Sequence, residues 1–151
     1  GKYFLTIGRI DPIKNYETLI DAFKKPQNAD KIYVADFIVT YGKTFGITNH
    51  NLNGENVYKF SEFISRRPLV LKILKKLTFT GYAKPLLTTS GIVYKLTDEG
   101  ERLSRLLDSD YAREYRATAT EVIRHIENKA ERTLISEINR MAASSLRGVG
   151  Q

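Results

Sequence analysis

Cysteine is missing from all 151 residues. That absence excludes disulfides, thiolate metal sites and a cysteine nucleophile, and makes a reducing cytoplasm the expected compartment. Long apolar runs are missing too. Nothing approaches the roughly 18–20 residues a membrane span needs, and the first residues carry no signal-peptide pattern. Histidine is scarce: His50 and His125 lie far apart, neither beside carboxylates at metal-ligand spacing, and they read as a loop residue and a helix-surface residue. No metal and no cofactor is expected. Acid is scarce in one place only. Residues 59–95 hold eight Lys/Arg against the single acid Glu62, whereas residues 1–58 hold seven against six and residues 96–151 nine against ten. The chain's net charge of +7 therefore sits in one window. Such a patch suits phosphates, or an acidic protein surface.

What is present reads as one soluble domain, with 42% hydrophobic and 27% charged residues and length enough for a proper core. The chain opens on Gly rather than Met, as expected of a trimmed chain or a fragment. Residues 3–8 read as a strand, followed by a turn at Asp11–Pro12. A helix over 15–25 carries Tyr16, Leu19, Ile20 and Phe23 at helical spacing and stops at Pro26. A second helix over 30–41 is apolar on most of its surface and should be buried. The Gly/Asn-rich segment 42–56 is a loop, and a short helix succeeds it at 57–65.

Pro68 and Gly81 bracket a further helix, with Leu69, Val70, Ile73, Leu74 and Leu77 as its core stripe and Lys72, Lys75 and Lys76 opposite. A hairpin with strands near 82–87 and 92–97 turns at 88–91, and Pro85 restricts its first strand to an edge. Asp98 and Glu101 form a weak capping box for the next helix, whose Leu103, Leu106 and Leu107 should face inward. From Asp110 an apolar seam (Tyr111, Tyr115, Ala119, Val122, Ile126, Ala130, Leu134, Ile138, Met141) predicts a helix of 30 residues or more. It either projects or breaks near Asn128–Lys129 and folds back onto residues 1–25. Residues 144–151 read as a frayed tail.

The expected fold is mainly α with a small β-hairpin: a winged helix-turn-helix followed by a long C-terminal helix. The expected divisions are an extension at 1–29, a winged-helix domain at 30–109, a coiled-coil-like docking segment at 110–145 and a tail at 146–151. Candidate nucleic-acid contacts are Arg66, Arg67, Lys72, Lys75, Lys76, Lys84 and Lys95. Candidate partner contacts are Val122, Ile126, Leu134, Ile138 and Met141, an apolar stripe that water would not tolerate uncovered. No enzyme is expected. Residues 6–23, "TIGRIDPIKNYETLIDAF", are similar to the strand–turn–helix of two-Rossmann-domain glycosyltransferases, in which Arg9 and Lys14 would grip a donor diphosphate. The alternation of strands and helices such an enzyme needs does not continue. Gly42-Lys43-Thr44 ends like a P-loop, but the earlier glycine of that motif is replaced by Phe37.

Five stretches, in order, carry a more specific resemblance: "IYVADFIVTYGKTFGI" (32–47), "YKFSEFISRR" (58–67), "LVLKILKKLTFTGYA" (69–83), "YKLTDEG" (94–100) and "SDYAREYRATATEVI" (109–123). Together they resemble the middle component of three-component ABC-ATPase defence systems, the Lamassu-type anti-phage systems of bacteria. The resemblance implies a small non-catalytic subunit between an SMC-like ABC ATPase and an effector nuclease. The basic window at 59–95 predicts contact with double-stranded DNA without sequence preference, and no membrane partner is expected. The alternative is a free-standing winged-helix transcriptional regulator. Against it, the exposed face of 69–80 offers lysines but no Asn, Gln or Arg to read base edges.

Overall fold

A computed structural model describes residues 12–149. The strand expected at 3–8 and Arg9 lie outside them. The described chain is mostly helical, with a small three-stranded antiparallel sheet.

Helix α1 spans Pro12–Ala22, three residues earlier at both ends than its periodicity indicated. Pro12 suits the first helical position, where an amide N–H would have no partner. Tyr16, Leu19 and Ile20 of α1, and Phe23 just after it, are buried in the common core. α1 packs against the helices over 29–40, 59–79 and 110–126. Two residues, Gln27–Asn28, form β1, a strand too short to carry a sequence signal. Asn28 then caps α2 (Ala29–Thr40), its Oδ1 accepting from the Lys31 amide at 2.8 Å. Every residue of α2 from Lys31 to Thr40 is buried, as its all-round apolar character predicts.

The 42–56 loop is ordered from within. Asn51 is buried, and its Oδ1 accepts from the Lys43 amide at 3.0 Å. The two helices expected at 57–65 and 66–81 are one, α3, Lys59–Phe79, with Pro68 inside it. An interior proline costs roughly 3 kcal/mol. Burial of Phe63 before it and of Val70, Ile73, Leu74 and Leu77 after it holds both halves in line on one core. Leu69, expected in that stripe, is exposed.

Strands β2 (Ala83–Thr88) and β3 (Gly91–Leu96) form the hairpin, with Leu87 opposite Ile92 and Lys84 opposite Lys95. β3 is central in the order β1-β3-β2, so Pro85 does lie on an edge strand. Helix α4 (Asp98–Leu106) is capped by Thr97, whose Oγ1 accepts from the Gly100 amide, and not by an Asp98–Glu101 box. Gly100 is the tightest glycine in the described fold: a Cβ there would lie 2.0 Å from the Tyr82 carbonyl oxygen. Leu106 does not face inward; it is 69% exposed.

The long C-terminal helix is two. α5 spans Asp110–Ile126 and α6 spans Glu131–Val149, so most of the expected tail is helical. α6 folds back on α2, and residues 1–11 of the segment expected to receive it lie outside the described residues. The Lys129 amide closes the connecting turn on the Ile126 carbonyl at 2.9 Å. Two side chains at the start of α2 hold the turn: Asn28 donates to Glu131 Oε1 at 2.9 Å, and the Lys31 ammonium donates to the Lys129 carbonyl.

Candidate functional site

The most elaborate polar cluster is internal. Asp36, 2% exposed, accepts from the hydroxyls of Tyr16 (2.8 Å) and Tyr115 (2.5 Å) and from the Arg66 guanidinium (3.0 Å). The four residues come from α1, α2, α3 and α5, so one carboxylate ties four helices together. Burial, reinforced by Asp36, pushes the phenols of Tyr16 and Tyr115 well above their ordinary pKa. Burial opposes the charge on Arg66, but Asp36, Tyr16 and Glu62 outweigh it and hold its pKa above the usual value. A buried charge satisfied on all sides fits a structural hub.

One of the seven expected nucleic-acid contacts, Arg66, is therefore tied into the fold, and a second, Arg67, makes a pair at the surface. Arg66 belongs to this hub and reaches Glu62 as well (3.5 Å); Arg67 donates to Asp30 at 2.8 Å. Counting charge along the chain could not show this, because both aspartates lie at least 30 residues earlier. Lys84 and Lys95 stand opposite each other in the hairpin, where like charges repel. They share a cleft with Asp98, Glu99 and Glu101 of α4, which offsets that repulsion. Lys95 also borders Lys24 and Lys25 after α1, two basic residues outside the 59–95 window.

Lys72, Lys75 and Lys76 differ from the rest. All three are exposed, none has an ion-pair partner among the described residues, and α3 carries no acid after Glu62. Lys72 repels Lys75 and Lys76 at helical spacings three and four. Their place near the C-terminus of α3 recovers a few tenths of a kcal/mol from the helix dipole, about the size of that repulsion. Fold stability is therefore close to indifferent to them. Large apolar side chains accompany them: Ile64, Leu71 and Phe79 on α3, and Leu87 and Ile92 at the hairpin tip, are exposed, Phe79 to 90%.

The expected partner stripe is elsewhere. Val122, Ile126, Leu134 and Ile138 are buried in this chain's own core, because the break after Ile126 turns α6 back over α2 and covers them. Met141 is half-buried beside a cavity of about 330 Å³ bordered by Ile38, Phe45 and Leu134. Lys14 is exposed on α1. His50 pairs with Glu114 at 2.6 Å and so ties the 42–56 loop to α5, a link with no sequence signal. Among the described residues there is no group of His, Asp and Glu able to hold a metal, and no helix long and apolar enough to cross a membrane.

Among the described residues, the exposed large apolar side chains and the partnerless lysines of α3 lie where a partner protein would meet them. The family agrees: the chain belongs to the ABC-three component (ABC-3C) system Middle Component 2 family, whose model matches residues 17–148. It is thus an accessory component of a multi-component ABC system, with partner components. No curated protein and no solved structure matches it.

Proposed function

We propose that this chain is a non-catalytic bridging subunit of a Lamassu-type anti-phage system, linking an SMC-like ABC ATPase to an effector nuclease and touching double-stranded DNA without sequence preference. The observation that carries the reading is the outer face of α3, where exposed apolar residues and partnerless lysines lie together on a chain of the middle-component family. Neither feature serves the fold, and each suits a macromolecular surface. The winged-helix reading draws support from element order: α1, β1, α2 and α3 precede the hairpin, and β1 joins the sheet beside β3. With Arg66 tied into the internal hub, the DNA contact falls to Lys72, Lys75 and Lys76, with Arg67, Lys84 and Lys95 as flanking contacts.

Lysines contact phosphates and specify little, so the binding is independent of sequence. The test is co-purification of the tagged chain with the ATPase and effector encoded beside it, followed by DNA binding of the assembled complex. Reversing Lys72, Lys75 and Lys76 to Glu should lower affinity equally for unrelated duplexes. It should also flatten the salt dependence by about 0.9 log unit for each phosphate no longer neutralised. A chain that never co-purifies with the ATPase refutes the bridging role. A triple variant that binds DNA like wild type at every salt concentration refutes the DNA contact.

A further inference from the structure

A second feature lies where the start of α1, the end of α3 and the end of α4 meet. There a groove of about 340 Å³ has Leu77, Tyr82 and Leu103 along its walls, Leu106 at its edge, and Lys14 and Lys76 beside them. We infer that this groove receives an acidic amphipathic helix from a partner component of the assembly. The inference rests on the bridging role and names the partner's chemistry.

Three observations lead to it. Leu106 occupies the last turn of α4 and is mostly exposed although it borders an apolar groove, so the fold leaves an apolar rim uncovered. Lys14 and Lys76 are exposed and make no ion pair among the described residues, so the positive rim is unbalanced. Among the described residues that line the groove, the carboxylate is Glu17, which is buried and already engaged within the chain. An apolar cleft with a cationic rim is matched by a helix whose apolar residues recur at three and four positions and are flanked by Glu or Asp.

The alternatives fit less well. Nucleic acid would meet the lysines but would leave the leucine walls exposed to water. A basic helix would be repelled at Lys14, Lys76 and Lys72, the last a single turn back from Lys76 along α3. A second copy of this chain offers no matching element in its C-terminal helices, because acids and bases alternate through residues 96–151 in nearly equal number. The volume lies at the low end of ligand cavities and suits one or two apolar side chains.

The probe is a synthetic fluorescein-labelled peptide of about 15 residues, with Leu at positions i, i+3, i+4 and i+7 and Glu and Ala elsewhere, titrated against the full chain by fluorescence anisotropy. Two controls accompany it: a scrambled peptide of the same composition, and one with Lys for every Glu. The groove predicts that the acidic amphipathic peptide binds best, that added salt weakens it, and that Leu106→Asp and Lys76→Glu each weaken it about tenfold. Leu87→Asp at the hairpin tip, 85% exposed, should change nothing. Both leucines are exposed, so these variants stay folded, which circular dichroism verifies.

Equal binding of the scrambled or basic peptide overturns the inference, as does no binding by wild type or indifference to Leu106→Asp. If the ATPase and the effector co-purify with the chain and Leu106→Asp leaves both associations intact, the groove proposal falls and the bridging role stands. If the peptide behaves as predicted but the ATPase never co-purifies, the bridging role falls and the groove stands.

Discussion

Removing the carboxylate of Asp36 tests whether one buried charge organises this fold. In Asp36→Ala, the Arg66 guanidinium and two phenol hydroxyls lose their acceptor together. Breaking a buried ion pair by deleting one partner costs about 3–5 kcal/mol, mainly because the other charge is stranded. Arg66 keeps a lesser partner in Glu62 and its side chain is 22% exposed, which places its share below that range, near 1–2 kcal/mol as an order of magnitude. The two phenols add about 1–3 kcal/mol each if water cannot reach them. A total of about 3–8 kcal/mol results, which for a domain of this size lowers the melting temperature by at least roughly 6 °C. Urea unfolding followed by circular dichroism measures it. The double variant Asp36→Ala/Arg66→Met should recover part of the loss, since it removes the stranded charge as well. A single variant within about 1 kcal/mol of wild type would refute the reasoning, as would a double variant worse than the sum of its parts.

Three further outcomes are expected. Burial raises the pKa values of Tyr16 and Tyr115, and takes Tyr33 up to about 12, whereas unfolded phenols release their protons near 10. The native state thus holds more protons above that pH, and stability that is complete below about pH 10 falls as pH rises, by up to about 1.4 kcal/mol per unit for each tyrosine. Urea midpoints between about pH 9 and 11.5 should fall steeply for wild type and less for Tyr16→Phe/Tyr115→Phe; a flat wild-type profile contradicts this. Leu134→Ala and Ile138→Ala should each cost about 2–5 kcal/mol of the isolated chain's stability, and loss of partner binding without loss of stability would restore the stripe as a docking surface. Gly100→Ala gains up to about 1 kcal/mol of helix propensity but forces a methyl onto the Tyr82 carbonyl, so a net loss of about 1–2 kcal/mol is expected, and a stabilised variant would refute the close approach.

How much of the fold was legible depended on whether the signal was local. The apolar run of 32–41, the Leu and Ile spacing of 70–77 and the hairpin with its edge proline are patterns of neighbours, and each element formed where its pattern lies. Pro68 was misleading as a helix start, because whether an interior proline is tolerated depends on what the flanking turns bury. The exchange of an Asp98–Glu101 box for a Thr97 cap is equally local, a shift of one residue in which the Thr97 hydroxyl accepts from the Gly100 amide. β1 could not be found, since two residues owe their strand geometry to Tyr94 and Val93 opposite them.

The C-terminal seam shows most clearly where pattern reading stops. Ile126, Ala130, Leu134 and Ile138 keep helical phase across residues 127–130, with no Gly or Pro between Ile126 and Glu131, so periodicity alone favours one helix. Three long-range facts are tied to the break: Asn28 holds Glu131, Lys31 holds the Lys129 carbonyl, and α2 offers an apolar surface that α6 can cover. The same kind of distant partner draws Arg66 out of the basic strip and pairs Arg67 at the surface. An apolar stripe does need a cover, and here the cover lies in the same chain. The same criterion should therefore be applied to the surface that folding leaves bare. It selects Phe79 and Leu106, exposed apolar side chains beside lysines without ion-pair partners among the described residues.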